Sequence, residues 1–351
     1  MSKILNISLL ILFLCGMTIS GQTKFSRHHK TQFNEYNTST IKKLIVDNSH
    51  GEVNYTGWDK DTLSIRISIW VEASYSGTAN EILNQINIFN RSYENTIDYN
   101  THFSTNFFSN YNFGIDYHIF GPKNLELEVH NRLGNINLND CCGKMKITGD
   151  YSNLKISESN KAISKANIKI INGNIDLAIL ASAEIIHKNG KLKLTKADNL
   201  LLNTDFSTAN IKNIGILKLN ANTSKLNIQQ ADYVDLETRH SNILISNLNQ
   251  HGFIESYEGS IDIKTLKNSL DTLTIAGDHC PINVKIKNEL PFNLHGQVNN
   301  GKLFYPENKE IRILKEDNIV SFSTENDSQN TSVANLIFFN KDSDIHLITI
   351  K

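Results

Sequence analysis

Apolar and polar residues alternate in short bursts along most of this chain, and the bursts come in pairs separated by a small polar turn. Leu217 to Ile228, LKLNANTSKLNI, is one such pair. Seventeen residues earlier the chain reads LLLNTDFSTANI, and seventeen later VDLETRHSNILI. Alternation with a period of two marks half-buried strands. Each copy can be centred on its small turn residue: Gly134, Ser152, Gly173, Gly190, Ser207, Ser224, Ser241 and Gly259, spaced 17 to 21 residues apart. Five positions before each centre stand Val129, Ile147, Ile168, Ile185, Leu202, Leu219, Leu236 and Ile254. Two positions after stand Ile136, Leu154, Ile175, Leu192, Ala209, Leu226, Ile243 and Ile261, and four after stand Leu138, Ile156, Leu177, Leu194, Ile211, Ile228, Ile245 and Ile263.

Three columns that stay apolar through eight copies predict an all-β fold, a parallel β-helix-like solenoid of about 17–21 residues per coil. Such a unit is too short for paired-helix repeats or a propeller blade. Equivalent strands would stack about 4.8 Å apart, and each column would bury itself against the coils above and below. Looser copies lie at both ends: Val46, Gly51, Val53 and Tyr55; then Ile275, Cys280, Ile282 and Val284; then Gly301, Leu303 and Tyr305; and last Phe338, Ser343, Ile345 and Leu347. At the turns, Gly and Asn are expected to take positive φ, and Asn and Ser to bond the corner amides.

The pattern divides the chain. Residues 125–306 are tandem coils, 41–124 a strand-rich entry region, and 307–351 a C-terminal cap. Thr78 to Asn87 predicts one short helix over an open end. Asp327 to Thr331 reads as a loop. Residues 22–40 carry little apolar pattern and read as a flexible leader. In residues 1–21, Lys3 precedes the mostly apolar run Ile4 to Ile19 and the small Ser20-Gly21, the order of a secretory signal peptide. Lipidation of Cys15 is the alternative, although Leu14 stands where a small residue is expected. No later stretch approaches the roughly 18 apolar residues of a membrane helix.

Composition narrows the chemistry. The 351 residues carry a net charge of -1, which offers no basic footprint for nucleic acid. Cys141 and Cys142 are adjacent, which disfavours a bridge between them, and Cys280 lies many copies away in the repeat, so free thiols are expected. No catalytic fingerprint occurs, and no cofactor or metal is called for. Asp150 and Asp205 share a column with Arg132, Lys188 and Arg239, but three coils, roughly 14 Å, separate the two acids. That exceeds the carboxylate spacing of a glycosidase. Asp232, Asp235 and Glu237 alternate with Val234 and Leu236 as a solvent face would. His28 and His29 fall in the leader, and His50, His130, His187 and His240 fall in separate copies.

Three segments carry a resemblance: VDNSHGEVNYTGWDKDTLSIRI, GPKNLELEVHNRLGNINL, and the tandem copies around KLNANTSKLNI. In their order (entry strand, Trp58, Pro122-Lys123-Asn124, coils, then Tyr305-Pro306) they resemble the auto-transporter adhesin, head GIN and DUF4097 group of exported proteins, and most of all its Bacteroidetes members. This chain departs from the group's frequent Tyr-Gly or Tyr-Ser turn at Phe206-Ser207, Thr223-Ser224 and His240-Ser241. The resemblance implies an exported β-solenoid and defines no catalytic residue.

Two functional readings follow. One is an exported, non-catalytic adhesin-like or structural module of the cell envelope. Its lateral ladders of Asn, Thr, Ser and Lys would bind an extended polysaccharide or another envelope protein, with self-association through the solenoid ends as a further contact. The other is a carbohydrate-active enzyme, a lyase or glycosidase, on a β-helix scaffold. One local binding surface is singled out: Phe103, Phe107, Phe108, Tyr111 and Phe113 in FSTNFFSNYNF, whose aromatics either contact a ligand or close the hydrophobic end of the coils.

Overall fold

The computed structural model describes residues 25–157, 161–306, 310–324 and 333–350. The expected signal segment, Cys15 and the expected loop at Asp327–Thr331 lie outside them. The described chain is almost entirely β, with one helix, α1 (Ser76–Leu83). No helix among the described residues is long and apolar enough to cross a membrane.

The middle of the chain pairs in parallel at the spacing of the repeat. Strand β8 (Glu126–Asn139) pairs with β9 (Met145–Ile156) at an offset of 18 residues, Val129 opposite Ile147. Strand β9 pairs with β10 (Ala166–Ile171) at 21, and β10 with β11 (Ile175–Asn222) at 17. Strand β11 pairs with β12 (Lys225–Leu266) at 17. Both β11 and β12 are long runs that bend at left-handed residues, Asn189 and Phe206 in the first, His240 and Glu258 in the second. Side chains 17 residues apart touch within β11, as Asn220 does Asn203 at 3.2 Å.

All 24 side chains of the three apolar columns are buried, none more than 3% exposed. A fourth inward column, seven positions before each centre, escaped the sequence reading. It holds Leu44, Leu127, Met145, Ala166, Ala183, Leu200, Leu217 and Val234, all buried. Each fully buried Ile or Leu contributes roughly 1.5–3 kcal/mol. No coil covers its own columns, so this stabilisation belongs to the stack.

The corner departs from expectation in a specific way. The residue before the centre takes the left-handed conformation: His50, Leu133, Tyr151, Asn172, Asn189, Phe206, Thr223, His240, Glu258, His279, Asn300 and Asp342 have φ between 47° and 59°, and of the centres Gly259 alone has a positive φ, 118°. Three of these twelve are Asn, at Asn172, Asn189 and Asn300, and none is Gly. Bulky residues accept the conformation, at a cost of roughly 1–2 kcal/mol each, because stacking on both sides fixes the corner. The centre is small for another reason. A Cβ on Gly173 would lie 2.0 Å from the Ser152 carbonyl oxygen, and one on Gly190 would lie 2.0 Å from that of Gly173. Where the centres are serines, they bond one another instead. The Ser207 amide donates to Ser224 Oγ at 3.2 Å and the Ser224 amide to Ser241 Oγ at 3.0 Å.

Spatial order departs from chain order at both ends. Strands β2 (Lys43–Ser49) and β3 (Val53–Trp58) pair in parallel with β8 on one side, and with β6 (Thr96–Phe103) and β7 (Phe113–Pro122) on the other. At the far end, β19 (Ala334–Lys341) lies between β13 (Thr272–Asp278) and β15 (Phe292–Asn299). Strand β20 (Ile345–Ile350) similarly joins β14 (Ile282–Lys287) to β16 (Leu303–Phe304). The segment 334–350 is therefore an internal rung, not part of a C-terminal cap. The cap at that end is the antiparallel hairpin of β17 (Arg312–Glu316) and β18 (Ile319–Ser323) laid on β15.

The other end closes similarly. Strand β5 (Ile86–Tyr93) pairs antiparallel with β6, and β4 (Thr62–Ala73) with β7. The expected helix forms as α1, shifted towards the N-terminus of its predicted span, and buries Ala79, Ile82 and Leu83. Most of the described part of the expected flexible leader is a strand instead: β1 (Ser26–Asn37) runs antiparallel along all of β4. Its sequence hides this, since Phe33 and Tyr36 are its only large apolar residues. The open edge of β4 supplies the template, and Arg27 adds an ion pair to Glu72 at 2.6 Å and a stacking contact 4.1 Å from the Trp70 ring.

Glu128 straps the entry rung to the coils. Its carboxylate meets Lys43 Nζ at 2.7 Å, Lys146 Nζ at 2.6 Å and His130 Nε2 at 3.2 Å. Partial burial alone would raise its pKa, but the hydrogen bonds from Lys146, Lys43 and His130 prevail and hold it down at about 2. A carboxyl depressed when folded contributes stability present above its ordinary value of 4.5 and lost as pH falls from there towards 2. Glu128→Gln should cost about 1–3 kcal/mol at neutral pH and flatten the acid limb of the unfolding curve between those values. Urea titrations across that range check this.

Candidate functional site

Outward-facing positions flank the left-handed corner in two sets of columns, and each set lines a shallow groove. On the strand entering the corner, Ile186, Lys188, Asn203, Asp205, Asn220 and Arg239 border a groove of about 460 Å³. On the strand leaving it, Asp176, Lys193, Asn210, Lys212, Asn227 and Gln229 border one of about 410 Å³. Alternation places these side chains outside because their neighbours fill the core columns.

Asparagines organise both grooves. Asn220 Nδ2 donates to Asn203 Oδ1 at 3.2 Å, and Asn227 Nδ2 donates to Asn210 Oδ1 at 2.8 Å. The same contact recurs at other rungs: Asn137 to Asn54 at 2.9 Å, Asn153 to Asn135 at 3.1 Å and Asn189 to Asn172 at 2.9 Å. Each amide spends one N–H on its neighbour. That fixes its orientation and leaves a second N–H and a carbonyl lone pair for another partner. The result, in each groove, is an oriented amide pair on two successive rungs.

Charges beside the ladders are paired across rungs. Lys188 meets Asp205 at 2.8 Å, Lys218 meets Asp235 at 3.4 Å, and Arg132 approaches Asp150 at 4.0 Å. Asp150 pairs in register with Ile171, and Ile171 with Lys188, so two rungs stand between Asp150 and Asp205.

The aromatic segment is split. Phe103, Phe107 and Phe113 pack on one another with centroids 4.7–6.0 Å apart, and His50 joins them 5.0 Å from Phe113 and 5.6 Å from Phe103. Burial pushes the His50 imidazole pKa down, with the Arg132 charge adding to it. These three Phe residues and Tyr111 pack against the core, and Tyr111 also meets Phe25 at 6.4 Å. Phe108 stands apart from them, 73% exposed.

The remaining candidates serve the fold. His187 is fully buried and donates from Nε2 to the Gly173 carbonyl at 2.9 Å, and desolvation lowers its pKa. Cys141, Cys142 and Cys280 are free. Cys141 is buried in the core, which pushes its thiol up to about 12. His28 and His29 lie on β1, where Ser26 Oγ is 3.1 Å from His28 Nε2 and Ser68 Oγ is 3.4 Å from His29 Nδ1.

One constellation was invisible to the sequence reading. Asp278, His279 and Asp342 meet at the corner of two adjacent rungs, their ligand-type atoms within 4.8 Å of one another. The intercalated rung brings Asp342 there from 63 residues away. Aligning the corners GDHC and NKDS would have matched the positions, but only the stacking order makes them neighbours.

No family model matches the chain, and no curated protein matches it. The resemblance to the DUF4097 group thus rests on its segments alone. Among solved structures, the chain is similar to a candidate cell adhesion protein from Clostridium sporogenes ATCC 15579, with 10% identity, 92% of this chain and 100% of that one covered, and a TM-score of 0.22. It is also similar to a candidate adhesin from Parabacteroides merdae ATCC 43184, with 11% identity, coverage of 92% and 97%, and a TM-score of 0.28. Likenesses at TM-scores this low carry no argument for the present chain.

Proposed function

We propose that this chain is an exported β-solenoid whose lateral ladder faces bind an extended polar polymer, a polysaccharide of the cell envelope or surface, without catalysis. The observation that supports the reading is the pair of oriented asparagine ladders, Asn203–Asn220 and Asn210–Asn227, on the two flanks of one corner. A polymer laid along the stack meets an oriented amide on two successive rungs in each groove, with charged and polar side chains around it. Weak contacts then add along its length, as linked sites do. A second envelope protein offering an extended strand is the alternative occupant.

Immobilised polysaccharides probed with the purified chain test this. We expect retention on at least one glucan, mannan or uronic-acid polymer, and weak or no binding to its mono- and disaccharides. Replacing Asn203, Asn220, Asn210 and Asn227 together by Leu should cut retention at least tenfold with circular dichroism unchanged. Polymer binding that ignores these four substitutions would overturn the assignment to the ladders. Turnover of any polymer would favour the enzyme reading.

A further inference from the structure

We propose that Asp278, His279 and Asp342 form a binding site for a divalent first-row transition metal, which staples the C-terminal rung 334–350 onto the rung 272–287. The site is independent of the polymer-binding reading, since it lies on the corner ridge and not in either groove.

The geometry is that of ligands presented on neighbouring rungs. His279 Nδ1 is 2.6 Å from Asp278 Oδ1, and His279 Nε2 is 3.6 Å from Asp342 Oδ2. One imidazole and two carboxylates suit zinc and its first-row neighbours better than calcium, which takes oxygen ligands. Zinc with bonds of about 2.0–2.2 Å places tetrahedral ligand atoms roughly 3.4 Å apart. The atoms now lie within 4.8 Å of one another, so the widest pair needs to close by at most about 1.4 Å. They are free to do so: side-chain exposure is 52% for His279, 35% for Asp278 and 26% for Asp342. Water completes the shell.

The surroundings fit the assignment. Asn300 Nδ2 donates to Asp342 Oδ1 at 2.8 Å, holding that carboxylate from the next rung outward. Lys341 Nζ lies 3.6 Å from both Asp278 and Asp342, so a cation already balances these acids. Its side chain is half-exposed and can swing clear when a divalent ion enters. The ligand types also continue along the ridge, where His240 Nδ1 meets Glu258 Oε2 at 2.5 Å. Successive corners therefore read His240, Glu258, His279, Asp342, an alternation of imidazole and carboxylate.

The test uses the purified chain, free of any histidine tag. Titration with zinc should show one ion per chain by calorimetry and a rise in Tm, and cobalt should give visible absorption bands of a low-symmetry nitrogen–oxygen site. His279→Ala and Asp342→Asn should each weaken binding at least tenfold, with circular dichroism unchanged, while His118→Ala on the exposed face of β7 should not alter it. Calcium should give neither signal. The proposal is overturned if zinc in about hundredfold excess over protein produces no heat and no Tm shift. Binding that survives both His279→Ala and Asp342→Asn, or that is lost only in His240→Ala, would overturn it equally.

Discussion

Deleting residues 334–350 should unfold the C-terminal end of the molecule back to β12. The segment supplies both neighbours' hydrogen bonds, pairing with β13 and β14 on one side and β15 and β16 on the other. Its Ala334, Leu336, Phe338, Ile345 and Leu347 are buried in the core. The four larger ones contribute roughly 6–12 kcal/mol at about 1.5–3 kcal/mol each, comparable with the whole stability of a typical domain. A terminal cap would be dispensable by comparison, because its loss exposes one face only. Limited proteolysis should cut between about residues 267 and 324 in the deletion variant, while the rungs of β8 to β12 resist, as expected for a stack held by nearest-neighbour contacts. A point variant separates packing from chain length. Phe338→Ala empties a fully buried position opposite Ile275 and Gly296, and should cost about 3–5 kcal/mol by denaturant unfolding. A deletion variant that keeps the wild-type proteolysis pattern would refute the internal placement of this rung.

Gly190→Val should be among the most damaging substitutions at the corner, about 3 kcal/mol. Its Cβ would fall 2.0 Å from the Gly173 carbonyl oxygen and 2.9 Å from His187 Nε2. The first partner is backbone and the second is a buried ring already bonded to that carbonyl, so neither can give way without moving the rung. The two rungs must separate, and the ladder that joins them weakens. Thermal unfolding should show a lowered Tm. A contrasting variant is Phe206→Asn on the same ridge. Phe206 holds φ of 48° with its ring 61% exposed, and Asn tolerates that conformation better. It should be neutral or stabilising, with no loss of Tm.

The repeat carried much of the fold openly. Ile185, Leu202 and Leu219 recur at one spacing because each must contact its counterpart in the next rung, and that demand leaves a periodic trace. The fourth column did not, since Met145, Ala166, Ala183 and Val234 share no common size or propensity and only stacking unites them. Polar strands are equally silent. β1 forms because β4 leaves an edge to pair with, a fact absent from SRHHKTQFNEYN itself. For the candidate sites, the Asn ladders were legible as Asn in repeating outward positions. That Phe108 stands clear of the Phe103–Phe107–Phe113 cluster was not, because a loop's side-chain directions depend on what it packs against.

By itself the sequence determined the all-β character, the 17- to 21-residue period, the three principal core columns and the small residue at each corner. These follow from local alternation and from contacts between copies of the same pattern. Tertiary structure decided the order in which the copies stack, and so which residues from distant copies become neighbours. A parallel rung offers the same hydrogen-bonding edge to any compatible strand, so chain order does not fix its partner. Packing at the two ends does, and it threads 43–58 and 334–350 one rung inward. That choice alone sets Asp342 beside His279.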